Sequence, residues 1–113
     1  MLKKTLLRKG DKKIMELKDT IEMMNSSNYK ERFKAEYYQV KIRYEKLKKL
    51  LNKWDAYIMG FERDDDLTLE QVLGFKPSCS YEILREQQNY MGQYLHCLEV
   101  RAVIENIDLE GDK

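Results

Sequence analysis

Proline occurs once in these 113 residues, at Pro77, and histidine once, at His96. So few helix breakers, with many Lys, Glu, Leu and Arg, predict long uninterrupted helices. A single histidine excludes any two-histidine metal motif. The two cysteines, Cys79 and Cys97, form no C-x-x-C pair and have no second histidine to join them, so no zinc site is expected. No apolar run approaches the roughly 20 residues of a membrane span. The opening MLKKTLLRKG is too short and too charged for a secretory signal. A glycine-rich phosphate loop and a nucleophile elbow are both missing. His96 and Cys97 are neighbours, about 100° apart on a helix, and do not face one another. These absences predict a non-catalytic cytosolic protein, with no metal, no cofactor and two reduced, largely structural thiols.

Charge is plentiful, at 36% of the chain, and the net charge is only +1. It is unevenly spread. Residues 1–53 hold 16 Lys/Arg against 7 Asp/Glu, a balance of +9, and residues 54–113 hold 5 against 13, a balance of −8. Two readings stay open: basic and acidic helices lying side by side, or a basic surface for an anionic partner.

The hydrophobic pattern organises the chain. Ile14, Leu17, Ile21 and Met24 step by 3, 4 and 3, which predicts a short amphipathic helix over about residues 12–24. "NSSN" at 25–28 ends it. Asn28 is a candidate N-cap, with Glu31 where a capping-box acid belongs. Phe33, Tyr37, Val40, Tyr44, Leu47, Leu51, Trp54 and Ile58 then alternate steps of 4 and 3 in an unbroken heptad seam. A helix over 29–59 follows, ended by Gly60. In the connection, 60–80, Thr68 and Gln71 form a capping box for one short turn stopped by Gly74. The Asp64-Asp65-Asp66 run lacks the spaced ligands and glycine of a calcium loop. Ser80 caps a last helix over 81–106. One row of it reads Leu84, Gln88, Met91, Leu95, Leu98, Ala102, and a second reads Ile83, Tyr90, Tyr94, Cys97, Ile104. Two apolar rows can meet more than one helix. "IDLEGDK" is read as a tail.

The expected fold is therefore all-α: a long antiparallel helical hairpin with a coiled-coil-like seam, as one domain over 28–113. A basic segment, 1–27, carries the short helix, packed on the hairpin or on a neighbouring subunit. The wide face of the last helix favours a homo-oligomer.

Three features bear on function. The first long helix mixes many Lys and Arg with tyrosines; Tyr38, Lys41 and Arg43 lie off its seam and are free to meet a ligand. The stretch REQQNYMGQY puts Gln88 into an apolar row and Gly92 mid-helix. Either it is a register and close-packing segment, with Gly92 admitting a bulky neighbour such as Trp54 or Tyr44, or Arg85, Gln88 and Asn89 wall a polar pocket. Arg101 either pairs with Glu105 at i+4 or binds an anion.

By CSYEILREQQNYMGQYLHCLEVRAVIENIDL and YKERFKAEYYQVKIRYEKLKKLLNKWDA, the chain resembles small phage proteins described as crAss-like-phage related. The signature runs through Met91-Gly92-x-Tyr94-Leu95, Leu98-Glu99-x-Arg101-Ala102 and Ile104-Glu105. Its architecture is more loosely similar to helical-hairpin phage proteins that act as sponges against CBASS and Thoeris immunity. That resemblance implies a small, non-catalytic oligomer that sequesters a nucleotide-derived immune signal, a cyclic oligonucleotide or a cyclic ADP-ribose variant. The expected ligand-binding set is Tyr38, Lys41, Arg43, Arg85, Gln88, Asn89 and Arg101. The alternative is a helical module that docks on a host or phage protein and inhibits or scaffolds it. Nucleic acid and membrane are not expected partners.

Overall fold

A computed structural model describes residues 15–60 and 67–109. Among them the order is a 3-10 turn at Leu17–Thr20, α1 (Ile21–Met24), α2 (Tyr29–Met59), α3 (Leu69–Leu73) and α4 (Tyr81–Glu105), with no strand. The Asp64–Asp66 run lies outside the described residues, as do Ile14 and residues 110–113.

The long helices begin and end where their local chemistry dictates. The Asn28 side chain accepts from the Lys30 amide, and the Ser80 side chain accepts from the Ile83 amide. Glu31 does not complete a capping box; its carboxylate sits 3.8 Å from the Lys34 ammonium. Gly60 closes α2 at φ 74°, in the left-handed region that costs glycine no Cβ clash. α3 is held by the reciprocal Thr68–Gln71 box and stopped by Gly74.

α2 is the axis of the molecule. α4 packs antiparallel on one face of it, pairing Tyr29 with Glu105, Tyr37 with Glu99 and Asp55 with Arg85. The core at one end of this hairpin is Phe33, Tyr37, Leu95, Leu98, Ala102 and Ile107, flanked by Tyr38, Val40 and Tyr44. Leu51 is fully buried further along, and α3 packs on α2, burying Leu73. The seam thus works as expected along most of its length, and only its last member, Ile58, is exposed.

Three expectations are corrected. The first short helix is not a regular three-turn amphipath among the described residues. Ile21 and Met24 stay about half exposed, Met24 touching Gln39 Nε2 through its sulfur, and Thr20 is the buried residue. Thr20 donates its hydroxyl to the Leu17 carbonyl and accepts from Gln39 Nε2 at 2.9 Å, so a small polar side chain fits the flank of α2. The segment from Leu17 does pack on α2. Second, residues 107–109 are not a free tail. Asn106 adopts φ 59° and ψ 45°, and the Ile107 amide reaches back to the Ala102 carbonyl at 2.8 Å. This Schellman-type closure drives Ile107 into the core. Third, Cys79 and Cys97 are both exposed, so neither thiol is a packing residue.

Candidate functional site

The opposed geometry of α2 and α4 places the middle of REQQNYMGQY against Tyr44. A Cβ built on Gly92 would meet Tyr44 Cε1 at 3.5 Å and its hydroxyl at 3.7 Å. The tyrosine ring therefore lies over the glycine. Arg85, Gln88, Asn89, Gly92, Gln93, His96 and Cys97 extend from this point along one flank of α4. With Tyr44 they line an open groove of about 640 Å³, within the range of small-molecule sites. Its wall offers a guanidinium, three carboxamides, an imidazole and one aromatic ring. That inventory can donate to anionic oxygens and hydrogen-bond a heterocycle.

Arg85 is fixed at one end of this groove by a three-residue cluster. Its Nη2 donates to Asp55 Oδ2 at 2.5 Å and to the Tyr81 hydroxyl at 2.6 Å, and the Tyr81 hydroxyl donates to Asp55 Oδ1 at 2.5 Å. The guanidinium also lies 5.2 Å from the Tyr81 ring centre, and Trp54 meets that ring edge-on. The hydrogen bond from Tyr81, then that from Arg85, hold the Asp55 carboxyl below its ordinary pKa. The same partners raise the pKa of Arg85, Tyr81 first and then Asp55. From this clamp, Arg85 Nη1 donates to Gln88 Oε1. Gln88 is half-buried and hydrogen-bonded, as a register amide would be, and it also lines the groove.

The expected ligand residues separate into groups. Arg85, Gln88 and Asn89 come together in the groove. Lys41 is exposed, with its ammonium 5.7 Å from the Tyr37 ring centre. It stands three residues before Tyr44, and exposed Lys48 stands four residues after it, so both are one helical turn from that ring. Arg43 is exposed next to Tyr44 in sequence, which turns it about 100° away. Tyr38 lies at the far end of the hairpin, where its hydroxyl donates to the Leu109 carbonyl. Arg101 lies sixteen residues along α4 from Arg85, about 24 Å at 1.5 Å per residue. It pairs with Glu105 at 3.1 Å, donates to the Tyr29 hydroxyl at 2.7 Å and covers the Phe33 ring at 4.8 Å. Hydrogen bonds from Tyr29 and then Arg101 lower the Glu105 pKa.

Asp55 and Tyr81 escaped sequence reasoning as positioning residues; Tyr44 was expected on the seam and as one bulky neighbour that Gly92 admits, which is where it lies, but not as a groove residue. The signal available for Tyr44 was the hairpin register. Two helices joined by the 60–80 connection must lay residue 44 against the centre of the last helix.

The Sequestin family model matches residues 27–104, well over half of the chain, and the protein belongs to the Sequestin family. The matched stretch starts just before α2 and ends within the last turn of α4. No curated protein and no solved structure matches the chain. Among the described residues no helix is long and apolar enough to cross a membrane, and no group of three or more His, Cys, Asp or Glu side chains is placed to hold a metal ion.

Proposed function

We propose that this protein captures a nucleotide-derived small-molecule signal in the Tyr44–Arg85–Gln88–Asn89 groove and withholds it without chemical change. The family name itself speaks of sequestration. The observation that carries the reading is the convergence of Arg85, Gln88 and Asn89 on the Tyr44 ring, with Gly92 keeping the floor between them open. A charge-assisted donor suits a phosphate oxygen, carboxamides suit the edge of a base, and an aromatic face suits its plane. Lys41 and Lys48, one turn to either side, raise the local positive potential that draws in a diphosphate. In this reading the signal is a cyclic oligonucleotide or a cyclic ADP-ribose variant, and the setting is a phage protein acting against host immunity. Tyr38, Arg43 and Arg101 do not take part.

The test is calorimetric titration of the ligand-free protein with cyclic dinucleotides and cyclic ADP-ribose isomers, joined to thermal unfolding. A ligand at 100 times its dissociation constant stabilises by about 2.7 kcal/mol. The double change Gln88→Ala, Asn89→Ala is expected to weaken that binding at least tenfold while leaving the helical signal intact, and the ligand is expected to be recovered unaltered. If no compound in either class binds, the reading fails and a host or phage protein becomes the partner to seek.

A further inference from the structure

The row of α4 that the hairpin leaves uncovered is as regular as the one it buries. Ile83, Gln87, Tyr90, Tyr94, Cys97, Arg101 and Ile104 are spaced 4, 3, 4, 3, 4 and 3, and every one is exposed. Tyr90 keeps 63% of its surface and Ile104 73%. A heptad stripe with this exposure is a coiled-coil seam without its second helix. At its N-terminal half, Ile83, Gln87, Tyr90 and Tyr94 shape an apolar groove of about 480 Å³.

We infer that the missing helix is α4 of a second copy of this chain, lying antiparallel about a two-fold axis beside Tyr94. The stripe is complementary to itself in that arrangement alone. Turning it end for end sets Ile83 against Ile104, Tyr90 against Cys97 and Tyr94 near its own counterpart. Glu86 and Gln87 then meet Arg101. That guanidinium has five N–H donors, and Glu105 and Tyr29 occupy only part of them. A parallel pairing would instead stack Arg101 on Arg101 and leave Glu86 without a cation. A patch that answers itself under a two-fold rotation is what an isologous dimer requires. The size fits as well. The stripe from Ile83 to Ile104 is about 32 Å long. Two helices in contact along it bury on the order of 1,200 Å² in total, the lower bound for specific assemblies.

Cys97 belongs to both the stripe and the polar groove. In this pairing Tyr90 of one copy therefore reaches the rim of the other copy's groove, adding a second aromatic side chain to it. The dimer is read from mass with no ligand present, so its failure is separable from failure of the capture reading.

Sedimentation equilibrium of the full chain is expected to give a dimer, and Tyr94→Lys is expected to give a monomer of unchanged helical circular dichroism. Thiol pairing then reads the direction. In a Cys79→Ser background, Tyr90→Cys is expected to form a covalent dimer under mild oxidation, because position 90 faces Cys97 of the second copy. Cys97 alone is expected to form none, its two copies being offset by about 10 Å along the axis. A wild-type monomer overturns the inference and leaves the stripe to another protein. So does a dimer indifferent to Tyr94→Lys, or a ready Cys97–Cys97 link, which would mean parallel helices.

Discussion

Gly92→Ala separates the two roles that a glycine in the middle of α4 can have. In a helix interior, glycine is about 0.8–1.0 kcal/mol worse than alanine, largely through the entropy of the unfolded chain. If the glycine were needed for close packing, the added methyl would cost more than this gain. The structure says otherwise. The nearest atom to the new Cβ is Tyr44 Cε1 at 3.5 Å, an ordinary van der Waals contact, and the backbone there is ordinary helix. Nothing has to move, so Gly92→Ala is expected to stabilise the fold by about 0.5–1 kcal/mol, or a few degrees in Tm. Urea unfolding followed by circular dichroism measures it, with the slope unchanged. The same methyl stands on the floor of the groove beneath the Tyr44 ring, so the stabilised variant is expected to hold the captured ligand more weakly. Gly92→Leu extends this, filling the floor and abolishing capture. A loss of stability in Gly92→Ala would refute the reasoning, because the helices would then approach more closely than 3.5 Å allows.

Ile107→Ala tests the folded-back C-terminal segment: a buried isoleucine cut to alanine is expected to cost about 2–4 kcal/mol in a denaturant titration, whereas a free tail would cost nothing. Asp55→Asn removes the charge from the Arg85 clamp. Both side chains are about one-third exposed, so solvent screening limits the expected loss to about 1 kcal/mol or less. Its clearer signature is a ligand affinity lost because Arg85 is no longer held. Asp55 and Glu105 both have folded-state pKa values below the ordinary ones. Their contribution is therefore present above the unfolded carboxylate range and is lost as pH falls through the folded values, so stability is expected to decline below about pH 4. In Asp55→Asn that acid-side decline should be shallower, which a series of melts between pH 2 and 6 would show.

The parts of this architecture that follow local rules were legible in the residues. The 4-3 seam from Phe33 to Trp54, the caps at Asn28 and Ser80, the box at Thr68–Gln71 and the glycine at 60 each act within a few residues of themselves. They set α2 and α4 almost to the residue. Features that depend on how distant segments meet were not legible. Nothing near Ile107 announces that it turns back into the core, and only the hairpin register brings Asp55 to Tyr81 and Arg85. Thr20 looks less suited to burial than Ile21, yet it is small enough for the flank of α2 and finds Gln39 there. The candidate site was half legible for the same reason. Gln88 in an apolar row and Gly92 mid-helix flagged the stretch and its Tyr44 neighbour, while the seam pattern gave no sign that Tyr44 also lines a groove. Tyr38 and Arg101 were chosen for their chemistry alone, and nothing near them in sequence announced that both fasten the open end of the hairpin.

Native mass spectrometry of the full chain, purified from cells that make cyclic nucleotide and cyclic ADP-ribose signals, addresses the capture claim most directly. The account predicts a peak heavier than the protein by the mass of one intact nucleotide-derived signal per groove, absent from the Gln88→Ala, Asn89→Ala variant. Protein that emerges bare from every such culture, or a small molecule retained equally by that variant, would contradict it.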